Sequence, residues 1–135
     1  RTLETSEKDV FAIGDVTSIT LPNGRPLPKA GVFAHSQAKA VAGTIASRIA
    51  GGGAGDEFDG KGSCFLDTGQ GRSAFAVGDF YATPDPEVAL RQPARRWHWG
   101  RELLDSNWMA SGLRGRLAGM ALRVGGRLLN IPANL

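Results

Sequence analysis

The sequence predicts an α+β chain: a short buried strand and a helix of α/β type, then a β-hairpin and C-terminal amphipathic helices. Three observations carry that expectation. An apolar run, Val10 to Ile13, ends in Gly14-Asp15, and a helical pattern opens after Lys29. Two strand-like stretches flank Thr68-Gly69-Gln70-Gly71. Beyond Pro93, apolar and tryptophan residues return at helical steps among arginines.

The nearly continuous apolar stretch Asp9 to Gly14 reads as the kind of strand buried on both faces of a parallel sheet. Pro22, Asn23-Gly24, Pro26 and Pro28 make residues 17–29 a loop with several turn signals. From Ala30 to Ala50 the spacing predicts a helix: Val41, Ile45 and Ile49 recur every fourth residue, and Ala38, Ala42 and Ala46 permit close packing. Gly51-Gly52-Gly53-Ala54-Gly55 stops it. Residues 63–67 and 72–77 then pair as a hairpin around a four-residue loop, 68–71. Pro84, Pro86 and Pro93 predict an irregular connection. A second helix covers Arg95 to Met109, with Trp97, Trp99 and Trp108. A third runs from Leu113 to Leu129, where Leu113, Leu117, Met120, Val124 and Leu128 share one face flanked by Arg116, Arg123 and Arg127. The chain thus divides into a first module, 1–55, a hairpin with its Pro-rich connection, 56–94, and a Trp/Arg-rich helical region, 95–135.

At 135 residues the length suits one domain. The start at Arg1 in a polar stretch predicts a processed or truncated piece. No apolar run reaches about 18 residues, so no segment is expected to span a bilayer. Net charge is +3, unevenly distributed. Residues 1–90 hold eight Lys or Arg against eleven Asp or Glu, and residues 91–135 hold eight Arg against Glu102 and Asp105. A basic tail on an acidic body suits an anionic partner, phospholipid or nucleic acid, and equally a solvated helix face. The absence of a reading motif disfavours nucleic acid. The sole cysteine, Cys64, excludes an internal disulfide and fits a reducing compartment. It reads either as a small buried hydrophobe or as a reactive thiol.

Asp15 follows the strand-like run at the place where α/β sheets collect ligands. Its carboxylate suits sugar-alcohol hydroxyls, or else it caps the next turn. The helix start near Gly31 adds backbone N–H groups and a positive dipole end, which favour an electron-rich carbonyl or an anion. His35, His98 and Cys64 have no metal-ligand spacing, so no metal site is expected.

These segments carry a resemblance. VFAIGD followed by LPKAGVFAHSQAKAVAGTIA resembles the C-terminal flavin-binding segment of sulfide:quinone oxidoreductases and related flavocytochrome c sulfide dehydrogenases. GKGSCFLDTGQG resembles the family's Gly-Lys-Gly-x-Cys strand, and WHWGRELLDSNWM its His-x-x-Lys segment. The likeness runs from about Thr2 to Trp108. It implies that residues 1–55 are the end of an FAD-binding domain of pyridine nucleotide-disulfide oxidoreductase type. Asp15 would then hold the ribityl chain of FAD, with Gly14 allowing close approach. Amides around Val32 and Phe33 would face the flavin pyrimidine carbonyl. Cys64 and Arg101 would be the catalytic side chains, the thiol near the flavin and the guanidinium near the flavin or quinone.

The resemblance implies a cytoplasmic enzyme, peripheral at the membrane, that passes electrons from a sulfide-like donor through FAD to a quinone-type acceptor. A homodimer is compatible with it. The Arg-flanked helix at 113–129 would lie in the headgroup layer with the tryptophans as anchors, or else pack on protein. Three departures stand out: Arg101 replaces lysine, Asp105 replaces glutamate, and Asn107 replaces an aromatic. The chain has no GxGxxG phosphate motif, and one thiol cannot cycle through an intramolecular disulfide. The chain alone is therefore expected to bind FAD poorly and to be inactive, and the rest of the flavoprotein is its expected partner. The competing expectation is a non-catalytic dimerisation or membrane-docking module of flavoprotein ancestry.

Overall fold

In the computed structural model, residues 1–53 and 55–109 are described, together with positions 117, 120, 124 and 125. The elements run as a 3-10 turn (Gly14–Val16), helix α1 (Gly31–Ile49), strands β1 (Lys61–Gly69), β2 (Arg72–Asp79) and β3 (Glu87–Ala94), and helix α2 (Arg95–Met109). The fold is a small α+β arrangement with a three-stranded antiparallel sheet in the order β1-β2-β3. The chain forms two compact units, 1–62 with 78–88 and 63–77 with 89–135.

The first unit is built on α1. Its start has no side-chain cap; the Phe33 and Ala34 amides both donate to the Ala30 carbonyl, at 3.0 and 3.2 Å. Its end is a Schellman motif. The Gly51 N–H donates to the Arg48 carbonyl and the Gly52 N–H to the Ser47 carbonyl, at 3.1 and 2.8 Å, with Gly51 at φ +74°. The glycine run therefore stops the helix as expected. The buried face differs from the expected stripe: Phe33, Gln37, Ala40, Val41 and Thr44 point inward, whereas Ile45 and Ile49 are exposed. Phe33 meets Phe58 and Phe80 edge-on, at ring-centroid distances of 6.1 and 5.0 Å, and Leu21, Leu27 and Ala40 complete this core.

The expected buried strand over Asp9–Gly14 does not form. The chain doubles back instead: the Thr5 N–H donates to the Val10 carbonyl and the Ala12 N–H to the Leu3 carbonyl, and Glu4 and Phe11 share a single antiparallel bridge. Asp9, at φ +63°, sits at the bend. A buried sheet strand needs a strand on each side, and among the described residues this run has only residues 3–5 beside it, joined by one isolated bridge. Val10 and Ile13 are accordingly exposed.

The hairpin forms with longer strands and a tighter connection than expected. Gln70 and Gly71 lie between β1 and β2, both at positive φ, as a two-residue hairpin turn of the primed type requires. The third strand was hidden in the sequence by its prolines. β3 contains Pro93, which cannot donate to a ladder, and β3 is an edge strand where that missing N–H costs little. In the second unit, Phe65 of β1 and Trp97 of α2 both pack on Phe75 of β2, at 4.9 and 5.1 Å. Trp97 is buried and Trp99 exposed, so the two tryptophans do not serve together as surface anchors. The expected third helix lies mostly outside the described residues; Leu117, Met120 and Val124 are exposed. Among the described residues no helix is long and apolar enough to cross a membrane.

Candidate functional site

The 3-10 turn and the start of α1 pack together beside a shallow recess of about 10 Å³, open to solvent. Gly14, Asp15, Thr17, Lys29, Ala30, Phe33 and Gln37 are among its lining residues. Gly14 opens the turn at φ +71°, a conformation that glycine adopts without a steric penalty. Its N–H donates to Gln37 Oε1 at 2.6 Å, and its carbonyl accepts from the Thr17 hydroxyl at 2.8 Å and the Thr17 N–H at 3.1 Å. Lys29 Nζ donates to the Thr17 carbonyl. The backbone on both sides of Asp15 is therefore fixed.

Asp15 itself is exposed, and its carboxylate takes no hydrogen bond or ion pair from the described residues. The turn is closed by Thr17 and Gln37, so the capping role open to Asp15 in the sequence is filled by others. Phe33 lines the recess with its body but is a core residue, and its amide is already engaged by Ala30. Val32 packs against the same core. The first-turn amides that a helix leaves without an internal acceptor are thus those of Gly31 and Val32. With no acidic residue in that turn and Lys29 before it, the N-terminal end of α1 is electropositive, but neither Gly31 nor Val32 is among the residues lining the recess. An exposed, unpaired carboxylate such as that of Asp15 can accept hydrogen bonds from hydroxyl groups. His35, further along α1, is held below its ordinary pKa by partial burial and by the nearby Lys39.

Cys64 and Arg101 belong to the second unit. Alternation along β1 turns Phe65 inward and leaves Cys64 and Leu66 exposed, which overturns the reading of Cys64 as a buried hydrophobe. Its thiol donates to the Phe65 carbonyl at 3.4 Å. Arg101 is surrounded by carboxylates: Asp105 at 2.8 Å, Glu102 at 2.5 Å and Asp67 at 3.7 Å. Its Nε, like His98 Nδ1 and Trp97 Nε1 on the same helix, is buried with no partner among the described residues. The described residues contain no cluster of His, Cys, Asp and Glu able to hold a metal.

The structure thus brings Gly14, Asp15 and Phe33 onto one recess, whereas Val32 is not among its lining residues. Gln37, Thr17 and Lys29 were missed by sequence reasoning. Gln37 carried one usable signal: a polar residue four positions after Phe33, on the helix face that must be buried. Compared with known proteins, no family model, curated protein or solved structure matches this chain.

Proposed function

We propose that this chain is the C-terminal flavin-binding part of an FAD-dependent oxidoreductase resembling sulfide:quinone oxidoreductase. The observation that carries the reading is Asp15: an unpartnered carboxylate on a backbone-fixed turn, sharing a recess with Phe33 of α1. FAD, when bound, supplies two-electron transfer between a sulfide-like donor and a quinone-type acceptor. The chain's own residues bind and orient. Asp15 accepts hydrogen bonds from ribityl hydroxyls, and Gly14, whose missing Cβ would face Ala34 of α1 at 3.5 Å, lets the turn that carries Asp15 lie close against the helix. The Gly31 and Val32 amides and the positive end of α1 favour a carbonyl that gains negative charge on reduction. Cys64 offers an exposed thiol for sulfur chemistry, and Arg101 a positive charge held within its carboxylate cluster. The recess itself holds only about 10 Å³, the space of a single water, so in this reading it supplies part of one wall and most of the site lies elsewhere.

The experiment is FAD retention by the full-length protein. Asp15→Ala is expected to weaken it by about tenfold or more, in line with loss of a charge-assisted hydrogen bond. The isolated chain is expected to hold no stoichiometric flavin. A flavin-free full-length protein, or wild-type retention in Asp15→Ala, sinks the proposal. The second reading, a non-catalytic dimerisation or membrane-docking module, draws on exposed Trp99 beside exposed Arg95 and Arg96. Undiminished sulfide-dependent quinone reduction in full-length Cys64→Ser would remove the thiol from the chemistry and strengthen that alternative.

A further inference from the structure

We propose that the outer edge of β3 pairs with β3 of a second copy of this chain, antiparallel and about a two-fold axis at Ala89. The proposal holds whether or not the chain binds flavin. The sheet order gives β3 one neighbour, β2, and among the described residues no strand lies on its other side. Glu87 to Pro93 are all exposed, with Val88 at 48% and Leu90 at 63%. An uncovered edge presents backbone N–H and C=O groups to solvent, ready to join another strand. Glu87 and Arg91 also have no ion-pair partner among the described residues.

The residues of the strand select their own copy as the occupant. In a two-fold antiparallel pair, facing positions lie at equal distances on either side of the axis. With Ala89 on that axis, Glu87 stands opposite Arg91 of the second copy and Val88 opposite Leu90, and each pair occurs twice. Opposite charges and branched apolar side chains directly across a ladder both favour pairing. The neighbouring registers lose this match. An axis at Leu90 sets Glu87 opposite Pro93, and an axis at Val88 sets Leu90 opposite Pro86, outside the strand. In the Ala89 register Pro93 falls beyond the paired residues 87–91, so its missing N–H costs the ladder nothing. Five residues a side are few beside the roughly 20–30 of a standard interface, so a Kd between about 1 and 100 μM is expected.

Sedimentation of the full-length protein between about 5 and 500 μM tests this, with paired charge reversals. Glu87→Arg and Arg91→Glu are each expected to raise the homodimer Kd about tenfold or more, because like charges then face each other twice. Mixing the two variants sets opposite charges across the axis at both positions, and the mixture is expected to dimerise within about threefold of wild type. Should either reversal fail to fold, a thiol on the axis reads the same register. Ala89→Cys in a Cys64→Ser background lies opposite its own copy at the spacing of a disulfide, and is expected to cross-link on oxidation with diamide. Gln92→Cys in that background, ~20 Å from its copy along the paired strands, is expected not to. A wild-type protein that stays monomeric throughout this range, as it would with another segment or a foreign strand on the edge, overturns the proposal. So does a dimer that the reversals leave intact, a loss that mixing does not repair, or equal cross-linking at the two thiol positions.

Discussion

Arg48 and Glu4 meet as a two-point pair, Nη1 to Oε1 at 2.8 Å and Nη2 to Oε2 at 2.6 Å, fastening the first residues of the chain to the last turn of α1. Asp9 joins the same guanidinium at 2.5 Å, and the Phe11 ring lies beneath it at 5.2 Å. Hydrogen bonds from Arg48 and from the Asp9 amide hold the Glu4 carboxyl down to a pKa of about 2. A depressed carboxylate pKa contributes stability that is present above the ordinary carboxylate range and lost as pH falls toward the folded value. Stability should therefore fall between the ordinary carboxylate range and pH 2, and Arg48→Met should flatten that dependence. Urea unfolding of both proteins across pH 2–6 measures it; identical slopes would contradict the pairing.

Gly62, in β1, faces the Phe33 ring so closely that an added Cβ would lie 2.4 Å from Cε1. Phe33 is packed between Phe58 and Phe80 and has no room to yield. Gly62→Ala is expected to destabilise the first unit by about 1–3 kcal/mol, the usual cost of overpacking. Chemical denaturation reads the change, and an unaltered midpoint would count against this packing.

Trp97 and Trp99 should behave oppositely. Trp97 stacks on Phe75 and is 5% exposed, so Trp97→Ala is expected to cost about 3–5 kcal/mol. Trp99 is 66% exposed, and its replacement by alanine should stay within about 0.5 kcal/mol. Thermal unfolding of the two variants separates core from surface directly.

The carboxylates around Arg101 predict a salt-sensitive contribution. Arg101→Gln should cost about 0.5–1 kcal/mol at low ionic strength, since the partners are largely solvated. Most of that loss should vanish near 1 M salt. A loss unchanged by salt would point to packing by the aliphatic stem instead.

Punctuation was the legible part of this sequence. Gly51 and Gly52 ended α1 where a helix needs a left-handed residue, and Thr68-Gly69-Gln70-Gly71 marked the reversal between β1 and β2, although only Gln70 and Gly71 lie outside the strands. Asp15 and the start of α1 were legible as a pair because Gly14-Asp15 and the helical pattern after Lys29 were both signalled locally, although the strand expected before them does not form. What failed was any inference that needed a neighbour. Val10 to Ile13 is apolar enough for a buried strand, but nothing in the run reveals whether strands flank it. Gln37 and Thr44 are buried because a distant backbone satisfies them, Gly14 N–H in one case and the Asp56 carbonyl in the other. A pattern of apolar residues cannot register such partners. Pro93 was misread for the same reason: whether a proline is tolerated depends on being at a sheet edge, which is a property of the sheet.

The tight turn at Gln70-Gly71 also governs chemistry elsewhere on β1. Side chains alternate along a strand, so the pairing register that this turn imposes decides which of Cys64 and Phe65 meets solvent. Lengthening the turn by one residue would invite a slip that hides the thiol and strands an aromatic ring in water. Reactivity at Cys64 toward a water-soluble disulfide reagent is thus a reporter of hairpin alignment: rapid labelling of the native chain marks the register described above. An insertion after Gln70 should slow it. In this chain, a glycine with no reactive group of its own sets whether the sulfur can be reached.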